Sequence, residues 1–153
     1  MKNLEINAKL QIAKPRNEVF DAIIDPEKMS NYFISPGADK MEEGKSVIWG
    51  FPEFPDMKID VKILKLKIPE LIIFEWEGSK DRDLEVKIEL EERPNNQTLV
   101  KLTEGKMEPN EEGITWLGRN TEGWANFLAC MKAYLEFGIN LREGGFDFMK
   151  KPE

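Results

Sequence analysis

The residues that decide the fold are 124–139, which read WANFLACMKAYLEFGI. Apolar side chains recur there at intervals of three, four and seven residues, the spacing of one face of an α-helix. This stripe comprises Trp124, Phe127, Leu128, Met131, Leu135, Gly138 and Ile139. Lys132 and Glu136 stand off the stripe as an i, i+4 ion pair. A helix with one apolar face of this length predicts an apolar surface elsewhere in the chain against which it packs.

The ends of this helix are marked by residues with known capping preferences. Asn110 is a suitable N-cap, and two acidic residues follow it at the positive end of the helix dipole. Gly113 and Gly118 weaken the first turns, so we expect a break near Gly118. Gly144-Gly145 is expected to end the helix. The apolar side chains of the tail, at Phe146, Phe148 and Met149, are expected to pack back onto the body.

The N-terminal part predicts one strand followed by two short helices. Residues 4–12 alternate between apolar and polar, which indicates a strand with one solvated face. Pro15 suits the first turn of a helix whose apolar residues end at Ile24. Asp25-Pro26 breaks that helix and can start a second one, with Tyr32 and Phe33 on its apolar side.

The middle of the chain predicts an antiparallel meander, because consecutive alternating segments are joined by short turns. The expected strands are 38–41, 47–51, 57–68, 71–77, 84–91 and 98–103. Within 57–68 the alternation slips by one residue, which predicts a β-bulge at Ile63-Leu64 that turns both Ile59 and Leu66 inward. The chain is therefore predicted to be one α+β domain over 1–153, a curved antiparallel sheet wrapped around a long C-terminal helix.

Composition and charge argue against several classes of partner and location. The net charge of −7 argues against nucleic acid and anionic membranes as partners. No segment approaches the ~20 apolar residues that span a bilayer, and residues 1–5 lack the apolar stretch of a secretory signal. The single cysteine, Cys130, excludes an internal disulfide, so a cytoplasmic location is expected.

No catalytic residue, metal ligand or cofactor site is predicted. The chain has no histidine, which excludes Ser–His and Cys–His pairs and removes the commonest zinc ligand. Acidic residues at Glu42-Glu43, Glu91-Glu92, Glu104 and Glu108 are expected at strand ends and turns, in solvent. Cys130 lies in mid-helix, where a buried, inert thiol is expected.

Large aromatic residues are the remaining signal of function. Four tryptophans and nine phenylalanines exceed what a minimal core requires. They could fill the core completely, or some could line a cavity of a few hundred Å³ between sheet and helix, with access past 51–57 or the short helices. The predicted ligand-binding residues are Tyr32, Trp49, Phe51, Phe74, Trp76, Trp116, Trp124 and Phe127. Tyr32 would orient the ligand through its hydroxyl; alternatively, Tyr32 and Tyr134 stay at the boundary with water.

Several segments together carry a resemblance to a known superfamily. They are 15–23 (PRNEVFDAI), 25–28 (DPEK), 32–33 (YF), 71–76 (LIIFEW), 120–124 (NTEGW) and 134–136 (YLE). With the element order, they make the chain similar to the START-like (SRPBCC, birch-pollen-allergen-like) superfamily, and more closely to bacterial homologues of the heat-shock-protein ATPase activator C-terminal domain. The resemblance implies a helix-grip fold.

That superfamily contains cochaperone domains, lipid and sterol carriers, polyketide cyclases and resistance proteins. The absence of histidine leaves few candidates here for cyclase-type acid–base chemistry. Two hypotheses follow from the resemblance. The chain is either a non-catalytic carrier or sensor of a small hydrophobic molecule, or a cochaperone-like module that binds a chaperone partner through its surface.

Overall fold

A computed structural model describes residues 2–150, which form a six-stranded antiparallel sheet and three α-helices. The elements are β1 (Leu4–Ile12), α1 (Arg16–Ile24), α2 (Pro26–Met29), β2 (Ser46–Phe51), β3 (Phe54–Lys67), β4 (Leu71–Ser79), β5 (Arg82–Arg93), β6 (Gln97–Met107), α3 (Glu111–Phe137) and a 3-10 helix (Asp147–Met149). This is the α+β, helix-grip arrangement predicted from the sequence.

The sheet has the order β1-β6-β5-β4-β3-β2, with every neighbouring pair antiparallel. Strands β2 to β6 form the meander, and β1 joins its last strand. Helix α3 follows β6 and is fastened to the edge strand β1 by two polar contacts. Lys132 Nζ donates to the carbonyl of Gln11 at 2.8 Å, and Glu136 Oε2 accepts from the N–H of Ala13 at 2.9 Å.

The predicted bulge in β3 is confirmed. Ile63 pairs with Phe74 whereas Lys65 pairs with Ile73, so Leu64 is the extra residue. The two halves of β3 therefore present the same face to the core: Ile59 and Leu66 pack against it, while Leu64 is 37% exposed. Because of this one extra residue, the apolar side chains of both halves of β3 face the core.

One expected strand is absent and several expected element boundaries were wrong. Residues 38–41 form no strand; the segment is instead tied to α1 by the N–H of Met41, which donates to the carbonyl of Ile24. Strand β3 begins at Phe54, before the expected start at residue 57, because Phe54 pairs with Phe51 across a tight turn. Helix α3 ends before Gly138, whose left-handed φ of +65° caps it, so Ile139 leaves the stripe and is 52% exposed.

The expected break near Gly118 is also absent, since α3 runs unbroken over 27 residues. Its N-terminus is as predicted: the Asn110 side chain accepts from the N–H of Gly113 at 2.9 Å. Buried tryptophans on both sides of Gly118, at Trp116 and Trp124, hold the two halves against the body. Tertiary packing outweighs the low helix propensity of one glycine.

Two glycines of α3 give a direct test of how its first turn is packed. A Cβ at Gly113 would overlap the carbonyl oxygen of Glu108, whereas a Cβ at Gly118 meets nothing within 4 Å. Gly113→Ala is expected to lower the free energy of unfolding by about 1–3 kcal/mol through overpacking. Gly118→Ala should raise it by roughly 0.5–1 kcal/mol, as alanine does in a helix interior. Urea melts measure both; shifts of the same sign would contradict this packing.

Candidate functional site

A crevice of about 200 Å³ opens where the end of β4 meets the middle of α3. It is bordered by the indoles of Trp76 and Trp124, which contact each other with ring centroids 5.2 Å apart at an interplanar angle of 40°. The residues around it are Phe33, Phe54, Trp76, Arg119, Asn120, Gly123, Trp124, Arg142, Phe146 and Met149. The crevice is thus an aromatic slot with amide and guanidinium groups at its edge.

Glu104 lies behind the two indoles and holds them in place. Its side chain is completely buried, contrary to the solvated position expected for it. Trp76 Nε1 donates to Oε2 at 2.6 Å, and Trp124 Nε1 donates to Oε1 at 3.0 Å. Asn120 Nδ2 donates to the same Oε1 at 3.1 Å. One carboxyl group therefore joins β4, β6 and α3.

The position of Glu104 follows from the alternation of its own strand. In β6 the buried phase runs through Thr98, Val100 and Leu102, and the next member is residue 104. The sequence does contain a signal for the burial of Glu104: the alternation of buried and exposed positions in β6 continues past residue 103, where the strand was expected to end. A carboxyl group on an inward phase needs polar partners, and the sequence does not show which side chains meet it.

The environment of Glu104 contains neutral donors only. No lysine or arginine lies within 4 Å of its carboxyl among residues 2–150. Burial raises the pKa of the Glu104 carboxyl, and the N–H groups of Trp76, Trp124 and Asn120 offset part of that rise. The net pKa lies above its ordinary value of 4.5.

Gly78 and Asn120 make this cluster compact. Asn120 Nδ2 also donates to the carbonyl of Gly78 at 2.8 Å, which ties α3 to the end of β4. A Cβ at position 78 would overlap Oε2 of Glu104, so only glycine leaves room for the carboxyl. Glycine is needed at position 78 because the Glu104 carboxyl approaches the backbone closely there, and not because the backbone has a positive φ.

Seven of the eight predicted ligand-binding residues lie in one network of ring contacts. Trp49 packs on Phe74 at 5.3 Å and on Trp76 at 6.0 Å, and Phe127 packs on Trp124 at 5.2 Å. Phe33, which was not among the predicted ligand-binding residues, contacts four members of the network at 4.7 to 5.9 Å. The seven are Tyr32, Trp49, Phe51, Phe74, Trp76, Trp124 and Phe127.

These rings fill most of the space in which a cavity was expected. Only Trp76 and Trp124 of the predicted set border the crevice, while Trp49, Phe74 and Phe127 are core residues with at most 2% exposure. Ligand binding by the inner members of the set remains a prediction. The open space lies at the edge of the aromatic network, at the end nearest the C-terminal segment.

Trp116 and Tyr32 have surroundings different from those expected. Trp116 belongs to none of the ring contacts within the described part of the chain; it borders a neighbouring groove with Thr115 and Lys80. Tyr32 is 1% exposed, and its hydroxyl donates to the carbonyl of Ala22 at 2.8 Å. Burial raises the pKa of Tyr32 well above its usual value. Its hydroxyl therefore braces α1 and is already paired.

The C-terminal segment covers one side of the crevice; the expected packing of the tail holds for Phe146 and Met149 and was wrong for Phe148. Phe146 and Met149 line it, although Phe148 is 79% exposed. Arg142 fixes this segment: its Nη2 lies 2.7 Å from Oε1 of Glu53, which is 7% exposed, and its guanidinium carbon lies 4.6 Å from the Phe146 ring centroid. The cover is thus attached to the body by this buried ion pair and by the cation–π contacts of Arg142 with Phe33 and Phe51.

Other groups that could carry chemistry are not arranged for it. Glu42 is exposed and paired with Lys45, which lowers the pKa of the Glu42 carboxyl. Cys130 is buried, and burial raises the pKa of its thiol, which makes it unreactive as expected. Across residues 2–150, no three acidic or cysteine side chains are grouped as metal ligands. No helix in the same range is long and apolar enough to cross a membrane.

Comparisons with known proteins agree with this architecture. A family model described as Activator of Hsp90 ATPase homolog 1-like protein matches residues 13–136. A crystal structure of a Staphylococcus saprophyticus protein is 29% identical, with a TM-score of 0.79 over 91% of this chain and 96% of that one. No curated protein sequence matches at a significant level.

Two more distant structures share the fold. The Aha1 dimer from Colwellia psychrerythraea is 20% identical, with a TM-score of 0.73 over 88% of this chain and 98% of that one. An HSP90 activator from Plasmodium falciparum is also 20% identical, with a TM-score of 0.68 over 86% of this chain and 96% of that one.

The raised pKa of Glu104 predicts how stability depends on pH. Between pH 4.5 and the higher pKa of the folded state, the native protein binds more protons at Glu104 than the unfolded chain. The contribution of Glu104 to the free energy of unfolding should therefore fall as the pH rises through this window. Urea melts from pH 4 to 8, in which values for Glu104→Gln are subtracted from those for the wild type, isolate this term.

Glu85→Gln is the matched control for that measurement, because Glu85 is an exposed glutamate on the adjacent strand. Its substitution should change the free energy of unfolding by less than about 0.5 kcal/mol at every pH. If the difference between wild type and Glu104→Gln instead increases with pH, the three N–H donors outweigh burial and the pKa of Glu104 is depressed.

Proposed function

The chain belongs to the Activator of Hsp90 ATPase homolog 1-like protein family, and on that premise we propose that it binds a small hydrophobic molecule, without catalysis, between the sheet and α3. The proposed role is that of a carrier, sensor or sequestering protein acting as one domain in the cytoplasm. The proposed site is the crevice bounded by Trp76 and Trp124.

One observation carries this proposal, namely the way the two indoles are held. Aromatic faces that border open space are strong apolar binding surfaces, but a freely rotating indole presents no fixed face to a ligand. Here Glu104 accepts both indole N–H groups, so the two rings are held in contact at 5.2 Å and present one fixed aromatic surface to the crevice. A preformed slot loses less conformational entropy when a ligand enters than one that must first be opened.

The size of the slot limits the ligand. A volume of about 200 Å³ is below the ~300–1,000 Å³ of sites for drug-sized molecules. A ligand of one or two rings fits under the cover, and a larger one requires Phe146 and Met149 to move away. Binding is driven by buried apolar ligand surface at ~25 cal/mol per Å².

Tryptophan emission tests the proposal directly, because two of the four tryptophans form the slot. Titration with the neutral probe 2-naphthamide should change the emission in a saturable way. Gly123→Leu should abolish that change. Gly123 borders the crevice, and its added Cβ meets nothing within 4 Å, so a larger side chain can start there without a clash and is expected to narrow the slot.

Gly118→Leu is the control, since Gly118 lies on the same helix, also has no atom within 4 Å of its added Cβ, and does not border the crevice. It should bind the probe as the wild type does. Equal responses from the wild type and Gly123→Leu would mean that the probe sits elsewhere, and no saturable response at high micromolar probe would reject the proposal.

A second candidate function is interaction with an Hsp90-type chaperone. The family match favours it, and so does a group of exposed apolar side chains at and after the end of α3. They are Phe137, Ile139, Leu141 and Phe148, which are 52% to 79% exposed. Exposed apolar side chains that form a contiguous patch are typical of surfaces that bind another protein, and these four are near one another in sequence.

Stimulation of the ATPase activity of the host's Hsp90-type chaperone tests this second function. Added wild-type protein should increase the turnover, and Leu141→Asp should reduce the increase because it places a charge on the apolar surface. Gly123→Leu should stimulate normally, since it changes only the crevice. No stimulation by the wild type would remove this candidate.

A further inference from the structure

We propose that the ligand of the crevice is an aromatic acid, with its rings against Trp76 and Trp124 and its carboxylate at Arg119 and Arg142. This inference rests on the function proposed above and adds the chemical class of the ligand.

One donor of Arg142 is buried and has no acceptor in the described part of the chain. Its Nη2 is paired with Glu53, but its Nε–H has no acceptor within residues 2–150 and is shielded from solvent. The guanidinium lies near the rings of Phe33, Phe51 and Phe146 at 4.6 to 5.7 Å, so it cannot turn freely to find another partner. A buried donor without an acceptor is unfavourable, and an acceptor on a ligand would satisfy it.

Arg119 supplies a charge that the protein does not balance. It is exposed at the edge of the crevice and makes no ion pair or side-chain hydrogen bond within the part of the chain the structure describes. A guanidinium presents five N–H donors in a plane that matches a carboxylate. The protein as a whole carries −7 and repels anions, which makes a cationic edge at this one apolar slot informative.

The carboxylates near the slot already have partners. Both oxygens of Glu104 accept N–H groups of the protein, and its side chain is completely buried behind the indoles. Glu53 is engaged by Arg142. The edge therefore offers mainly donors, which favours a ligand with acceptor oxygens over a cation or an amine.

Isothermal titration calorimetry with 2-naphthoate and 2-naphthamide compares an acid and a neutral molecule of the same shape. The wild type should bind the acid about tenfold more tightly, the effect of one or two charge-assisted hydrogen bonds. Arg119→Gln should remove most of this preference while changing amide binding by less than about twofold. Increasing salt should weaken only the acid.

Lys9→Gln removes the same charge from an exposed position on β1 that does not border the crevice, so it should leave the preference intact. Gly123→Leu should abolish binding of both compounds, which places the acid in the slot. If the amide binds as well as the acid, or if Lys9→Gln and Arg119→Gln act alike, the acid assignment is wrong while hydrophobic binding stands. If neither compound binds, both proposals fail.

Discussion

The buried carboxyl of Glu104 is the interaction on which the slot depends. It accepts from Trp76 on β4 and from Asn120 and Trp124 on α3, so three elements converge on two oxygen atoms. Burying an acidic group is costly unless its lone pairs are used. In this protein the cost is offset by three N–H donors, which would lose their acceptor if the Glu104 carboxyl were removed. The carboxyl and its donors therefore depend on each other, and together they fix the angle between the two indoles.

Much of the fold could be predicted because its signals are local. The period of two in the strands and the i, i+3, i+4 stripe of α3 depend on neighbours in sequence, and the slip at Leu64 is visible in the same way. Glu104 was expected in solvent because glutamate is usually exposed, although its position continues the buried alternation of β6. The partners that make an inward carboxyl tolerable are 16 to 28 residues away, and no local pattern encodes them.

The errors in α3 have a similar origin. Gly113 and Gly118 carry the same propensity, yet one is confined by the carbonyl of Glu108 and the other faces open space. Propensity alone predicts a weak helix at both positions. Likewise, the sequence cannot show that the Tyr32 hydroxyl is taken by Ala22, or that Trp116 lies outside the ring network. These distinctions depend on tertiary contacts.

A filled aromatic core and a binding site are compatible in this architecture because they occupy different ends of the same network. The inner rings contact one another and act as a rigid base, whereas the outer pair borders the C-terminal segment. That segment is attached mainly through Arg142, whose partners Glu53 and Phe146 belong to the β2–β3 turn and to the cover itself. The same guanidinium therefore touches the crevice, the turn and the cover, so an anion bound at Arg142 would act on all three at once.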